Sequence, residues 1–553
     1  MHSTRASPRI PLFSDFLSGC LAVRDTQILS ISNNKFLSNK VNLINYYEGS
    51  ASVFLQRCSL VLFSSNSLFE NSASGIEAAG GLRIENSSHA IISQNNLSRN
   101  SGYLGGAIAI YQVTMLNVTS NSMSNNNARA SGGALQAIHV PHSFFWNNSF
   151  HSNQANVGGG GACVSFATNC SFVNNTFRGN EAFTCGGALR TRNITNLTIQ
   201  KCVFNDNFFN SSRAFAVSGG AIFTFRADYL FISESAFRNN SACMQNCEQG
   251  DFGSGGGVFL HQLVSVEITK SNFSQNSANR ANSLHLYLVK RASISHNYFL
   301  HNQNGKFDLE FSSWENSSAK FWDNLFQNGQ TSVHLADTAN SNFEFTSCKF
   351  SNNRVTSNLP LASSISARLS QSSLKIINST FSNCTSLSSP HFQTEIPGNS
   401  GTGFGVISVI PSTPSFIPIV SIEGSTFENE KQDNKGLLYF FNSNVSLRDC
   451  STLGEYFSYS PLLSLFQTNL TLHNCWLKGE SLLYCANSTK VSLSGRGEET
   501  KLDWSSCALC KIKQNCAKYF LPSNLIVAFL LFAFLIGFLI ALLVCRKKHL
   551  NNL

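Results

Sequence analysis

The sequence predicts an all-β protein: a parallel β-helix followed by one C-terminal transmembrane helix. Three observations predict it. A two-part phrase repeats at a nearly constant interval, short strand-like runs fill the interval, and one long apolar stretch lies near the C-terminal end. The phrase is Phe-x-x-Asn, a few polar residues, then Gly-Gly-Ala and an aliphatic, as in FRGNEAFTCGGALR (177–190). A catalytic motif is needed once, whereas a phrase at a fixed period is a packing instruction.

The period is measurable. Phe-x-x-Asn starts at Phe36, Phe150, Phe177, Phe204, Phe237, Phe273 and Phe299, and Leu97 and Met123 replace the Phe in two further copies. From Leu97 to Phe204 the steps are 26, 27, 27 and 27 residues. Decayed copies are expected at Phe69, Phe326, Phe350, Phe381 and Phe427. Glycine pairs begin at Gly80, Gly105, Gly132, Gly160, Gly186, Gly219 and Gly256, with steps of 25, 27, 28, 26, 33 and 37.

Between these anchors lie alternating runs such as AIAIYQ (107–112), LNVTS (116–120) and LTIQKCVF (197–204). They have the two-residue period and the β-branched content of strands. The Leu-x-x-Leu-x-Leu frame of a leucine-rich repeat is missing, and the interval is too short for a four-stranded propeller blade. Three short strands and three turns in about 27 residues describe one coil of a β-helix.

Each repeated letter then has a task. Coils stack about 4.8 Å apart, so Phe150, Phe177 and Phe204 form an inward aromatic column. Asn153, Asn180 and Asn207 form an amide ladder, because an amide both donates and accepts along a stack. The pairs Gly160-Gly161, Gly186-Gly187 and Gly219-Gly220 make a sharp corner where neighbouring backbone comes close. The span from Phe36 to Phe427 corresponds to about 14 coils and a rod of roughly 70 Å.

Composition narrows the function classes. Only 12% of residues are charged, Phe occurs 46 times, and the net charge of +9 is spread over 553 residues. No dense basic run lies outside the extreme C-terminus, which argues against nucleic acid as a partner. Catalytic patterns are missing too. Asp206, Asp228, Asp251, Asp308 and Asp323 fall at unrelated repeat positions, and the Gly-rich runs at 158–161 and 253–257 lack a following Gly-Lys-Ser/Thr. The close pair His139 and His142 reads as a solvated turn. The expectation is a protein with no enzymatic activity, cofactor or metal.

The GGA[I/L] and FxxN phrases resemble the polymorphic membrane protein repeats of chlamydiae and of trichomonad surface proteins. Both halves match from about Phe36 to Gly257, and FxxN-like pieces alone continue to about Phe427. The resemblance implies a right-handed, pectin lyase-like β-helix on a cell surface, with adhesion or contact with a host or other ligand, carbohydrate or protein, as its role. It departs from the chlamydial pattern in ending with a single apolar segment where those proteins carry an outer-membrane barrel. The alternatives are a carbohydrate-active enzyme on the same scaffold and a purely structural coat protein.

The apolar segment is LIVAFLLFAFLIGFLIALLVC (525–545), followed at once by RKKH. Its length suits one bilayer crossing. The reading is a single-pass plasma-membrane protein with an outside ectodomain and a short cytoplasmic tail. The broken apolar run at 10–23 is a poor signal peptide, so a missing true start and a tail-anchored topology both stay open. Sixteen of the 17 cysteines precede the span, which suits an oxidising compartment. Cys507, Cys510 and Cys516 are candidates for a disulfide-pinned stalk, and Cys243 and Cys247 for a local bridge. Candidate glycosylation sites include Asn86, Asn117, Asn193, Asn196, Asn378, Asn444 and Asn469.

The expected organisation is an N-terminal cap or imperfect signal region (1–35), repeats (36–386) and an irregular Pro/Gly loop (387–420). Degenerate coils (421–500), a Cys-containing stalk (501–520), the transmembrane helix (521–545) and the tail (546–553) complete it. Ligand binding is expected in the excursions at 208–218, 241–256 and 387–420, since loops on a rigid scaffold concentrate binding residues.

Overall fold

The computed structural model describes residues 19–42, 49–209, 218–242, 253–302, 305–312, 316–355, 362–386, 406–411, 417–428, 431–432, 438–453, 463–473, 475, 483–486 and 490–494. Every element within them is a β-strand, and together they form a parallel β-solenoid. The strands sort into sheets of 28, 15, 7 and 3 members.

One coil runs from Gly159 to Gly186. After the glycine corner comes the strand Ala162–Val173, whose alternation places Val164, Cys170 and Phe172 in the core. It bends midway at Phe166, which has a φ of 61°. Two corners follow. At each, a residue with positive φ precedes a buried Asn: Asn174 (φ 56°) before Asn175, then Gly179 (φ 61°) before Asn180. Between them lies Thr176–Arg178, and beyond them the two-residue strand Glu181–Ala182. Each strand pairs with the residues 27 positions on, Ala162 with Leu189 and Phe177 with Phe204.

The aromatic column exists and is longer than its best-matched copies. Phe177 lies between Phe150 and Phe204 with ring centroids 4.5 and 4.8 Å away and planes within 4° of parallel. The stack continues through Phe237, Phe273, Phe299, Phe326, Phe350 and Phe381 to Phe427. Phe145–Phe172 and Phe321–Phe345 are shorter stacks of the same kind.

The two corner glycines serve different ends. Gly186 needs its left-handed φ of 61°, and a Cβ on Gly187 would run into the Gly220 carbonyl of the next coil. Gly161 stands where other coils have Ala, because a Cβ there would sit 2.9 Å from Cδ1 of Phe177.

Four expectations are corrected. Gly160 does not open its corner: Gly159 does (φ 67°), so Gly105, Gly132, Gly159 and Gly186 step evenly by 27 and Gly161 takes the Ala position. In LFEN, Leu68 and not Phe69 joins the column, pairing with Phe36 and Leu97. The adjacent Phe69 hid this, although Leu68-x-x-Asn71 keeps the spacing that Leu97 keeps in its own copy. The solenoid begins before residue 36, because Leu21–Arg24 already pairs with Val53–Gln56. Ile407–Pro411, inside the expected Pro/Gly excursion, is a regular strand on Ile365–Ser370 and ends at Pro411.

Candidate functional site

Each coil contains two polar ladders, of which the sequence phrase disclosed one. The disclosed ladder runs Asn39, Asn71, Asn100, Asn126, Asn153, Asn180, Asn207, Asn240, Asn276, Asn302. Asn180 shows the rule. Its Nδ2 donates to the Phe150 carbonyl (2.9 Å) and to Oδ1 of Asn207 (2.9 Å). Its Oδ1 accepts from the backbone N (3.1 Å) and Nδ2 (3.0 Å) of Asn153. An amide in register with another amide satisfies its donor and its acceptor at once.

The second ladder lies two residues before the Phe column: Asn66, Asn95, Asn121, Asn148, Asn175. It continues through Cys202, Ser235, Ser271, Asn297, Asn324, Cys348 and Ser379. The Asn-x-Phe spacing in NSF and NTF was its available signal. Cys202 and Cys348 are thus ladder members with buried thiols, pushed up by burial to about 11. Of the ten cysteines whose burial is described, nine are buried. Cysteine here largely fills the interior, which weakens its use as a sign of compartment.

Asp308 occupies the space of a gap in the first ladder. The rung after Asn302 falls on Gly329, and the Asp308 carboxyl lies where a side chain of Gly329 would begin. It is fully buried, and burial pushes its pKa well above the usual carboxylate range against the pull of Asn302.

Beside it, outside the column but covered, lies a cluster of catalytic residue types. Ser254 Oγ is 2.5 Å from Nδ1 of His285, and His285 Nε2 is 3.9 Å from Glu310. The order resembles a serine–histidine–carboxylate relay, but the geometry serves packing. Glu310 is held by Arg280 (2.7 and 2.8 Å from Nε) and by Ser312 (2.9 Å), and is too far from His285 for a hydrogen bond. Burial lowers His285 to about 4 against the pull of Glu310, which makes it a weak base at neutral pH. Burial would raise Glu310, yet His285, His334 and Arg280 together hold it low. His139 and His142 do not form a site: His139 stacks on Phe166, while His142 meets Asn169.

The exposed face offers a different feature. Where the long strands bend, rings and guanidiniums of successive coils lie near one another: His139, Phe166 and Arg192 are exposed, while Tyr111, Phe225, His261 and Tyr287 are half-buried, Phe225 and Tyr287 against the buried Phe223 and Phe259. His139 stacks on Phe166 at 4.6 Å, and Arg192 lies 6.0 Å from the Phe166 ring and 5.8 Å from that of Phe225. Arg226 covers Phe225 at 4.9 Å, and His261 lies edgewise between Phe225 and Tyr287. The residues belong to different coils, and no sequence motif marked them.

Among the candidate glycosylation sites, Asn86, Asn196, Asn378, Asn444 and Asn469 are exposed, and Asn117 and Asn193 are half-buried. Cys243, Cys247, Cys507, Cys510, Cys516 and the apolar segment 525–545 lie outside the described residues, as do most of the three expected binding loops. Among the described residues no helix is long and apolar enough to cross a membrane, and no group of three or more His, Cys, Asp or Glu could hold a metal ion. No family model and no curated protein matches this chain in sequence.

Proposed function

We propose that this is a membrane-anchored surface protein of the polymorphic membrane protein repeat type, a right-handed β-helix that binds a ligand or host cell without catalysis. The ectodomain faces outward, the segment 521–545 crosses the plasma membrane once, and residues 546–553 are cytoplasmic. The observation that carries the reading is the ring-and-guanidinium stripe on the outer surface of a solenoid whose interior is committed to stacking and ladders. Exposed aromatic and arginine residues mark contact surfaces more often than catalytic ones. No cofactor or metal enters this account.

The test is topological first. Cells expressing the full-length chain are labelled with a membrane-impermeant reagent and then treated with a glycosidase. The expected result is surface labelling, a mobility shift, and adherence to a host-cell layer above that of cells lacking the chain. Labelling only after permeabilisation would refute the topology. Surface exposure with no gain in adherence or ligand binding would favour a coat protein. A fluorophosphonate probe that modified the wild type, but not Ser254→Ala, would instead favour the enzyme.

A further inference from the structure

We propose that Cys450 and Cys475 form a disulfide that fastens one C-terminal coil of the solenoid to the next. The bond needs oxidising surroundings, so its formation in cells rests on the ectodomain facing outward, whereas the pairing rests on geometry alone.

The two cysteines occupy consecutive rungs of the second ladder. Arg448 pairs with His473 across neighbouring strands, an offset of 25 residues, and the same offset takes Cys450 to Cys475. The ladder reaches them in unbroken order. The Ser379 N–H donates to Oγ of Ser425 (3.2 Å), the Ser425 N–H to Sγ of Cys450, and the Cys450 N–H to Sγ of Cys475. Both thiols take the same seat. Cys450 Sγ lies 3.3 Å from the carbonyls of Arg448 and Ile422, and Cys475 Sγ lies 3.3 and 3.4 Å from those of His473 and Leu447. Equivalent residues on stacked coils have Cα atoms about 4.8 Å apart, inside the window of roughly 4.4–6.8 Å that a disulfide spans.

Other ladder cysteines have different neighbours. Cys202 stands between Asn175 and Ser235, Cys348 stands between Asn324 and Ser379, and Cys384 follows Asn353. Only Cys450 and Cys475, among the described residues, stack thiol on thiol. The Cys450 thiol donates to Cys475, which pushes Cys450 up and holds Cys475 below the usual thiol range. Cys475 is therefore the nucleophile of the pair.

The exchange balances with one external disulfide, such as oxidised glutathione. The Cys475 thiolate attacks one of its sulfurs and releases the other as a thiolate. Cys450 then gives up its proton and attacks Cys475 Sγ, expelling the second thiol. One external disulfide becomes two thiols, and one protein disulfide forms. Both cysteines are buried, so exchange takes place while these coils are open.

The position gives the bond a task. The Phe column ends at Phe427, which pairs with Thr452 on the next coil. The coils of Cys450 and Cys475 are held without that stack. A link between them restricts the unfolded chain where the core offers less to oppose it.

The experiment uses the full-length protein. Reduced protein is equilibrated with oxidised glutathione in urea below its unfolding midpoint. Free thiols are then blocked with N-ethylmaleimide in denaturant, and chymotryptic peptides are mapped without reduction. The expected result is a peptide pair linked through Cys450 and Cys475, with Cys202 and Cys348 alkylated. Cys450→Ser and Cys475→Ser are the controls, because serine already serves as a rung at Ser425 and keeps the ladder acceptor. Hydrogen exchange over 438–453 and 463–473 should be about tenfold slower in the oxidised wild type than in either variant, and equal to both after reduction. Thiols at both positions, linkage of either to another cysteine, or equal exchange in the oxidised wild type and the variants would overturn the proposal. The same map of protein recovered from cells tests topology separately. A pair that closes with glutathione in vitro, but is recovered from cells as thiols, would leave the disulfide site standing and refute the outward-facing ectodomain.

Discussion

Asn180 offers the sharpest test of how the solenoid is held together. In Asn180→Ala the backbone N–H of Asn153 loses its acceptor at 3.1 Å, and the Phe150 carbonyl loses a donor at 2.9 Å. Both groups lie where water does not reach. Each buried group left unsatisfied costs about 1–3 kcal/mol, so the substitution should cost about 2–6 kcal/mol. Asn180→Asp separates the donors from the acceptor. It keeps an oxygen for Asn153, but sets a second oxygen against the Phe150 carbonyl and Oδ1 of Asn207, both acceptors. Only a protonated carboxyl can donate there. Its folded pKa is therefore raised above the unfolded value near ~3.9. The sign follows: the variant's stability is greatest below that value and falls as pH rises toward the folded pKa, by up to about 1.4 kcal/mol per pH unit. Thermal melts and hydrogen exchange of the full-length protein at pH 4 and pH 7 give the readout. Loss of protection should centre on the coils of Asn153, Asn180 and Asn207, since each coil touches only its neighbours. An aspartate variant with the same deficit at both pH values, or an alanine variant within about 0.5 kcal/mol of wild type, would refute the ladder as a stabilising device.

Four further substitutions probe other parts of the coil. Phe177→Ala removes a fully buried ring from the column and should cost about 3–5 kcal/mol, read as new protease cleavage near residue 177; resistance equal to wild type would mean the column does not hold the core. Asp308→Asn should stabilise by about 1–3 kcal/mol at pH 7 and little at pH 4. The wild-type carboxyl has a raised folded pKa, so its contribution is intact below the unfolded pKa and is lost as pH rises; a pH-independent difference in melting temperature would contradict this. Gly187→Ala forces a methyl against the Gly220 carbonyl and should cost more than about 2 kcal/mol by thermal melt, against little for Gly179→Asn, which keeps a residue suited to positive φ.

The fold was legible because identical tasks recur in identical letters. Phe, the Asn after it and the glycine corner could be read from spacing, since stacking makes one coil the template for the next. Leu68 was misread because the column asks only for an apolar side chain, and Leu satisfies it without spelling the motif. The second ladder was missed for a related reason. Its rungs alternate among Asn, Ser and Cys, three residue types that can all meet a backbone N–H. The stripe was illegible on different grounds. Arg192 and Phe225 are 33 residues apart and become neighbours only when the 27-residue period lengthens, so register had to be known before contact could be inferred.

That distinction changes how other signals in the chain are weighed. The corner requires a residue at positive φ, then a ladder residue, then the first residue of a strand. Asn suits the first place, and Ser or Thr suits the third. The outcome is Asn147-Asn148-Ser149, Asn174-Asn175-Thr176, Asn239-Asn240-Ser241 and Asn378-Ser379-Thr380, each with its first Asn at a φ between 47° and 56°. These are glycosylation sequons written by turn chemistry, whether or not any sugar is attached. Buried cysteines arise in the same way from ladder chemistry. Neither abundance identifies a compartment by itself, because the solenoid would generate both in any surroundings. Information about function has to come from residues the coil does not require. Phe166, strained and exposed, is one such residue, and Arg192, held between two rings and paired with no carboxylate among the described residues, is another.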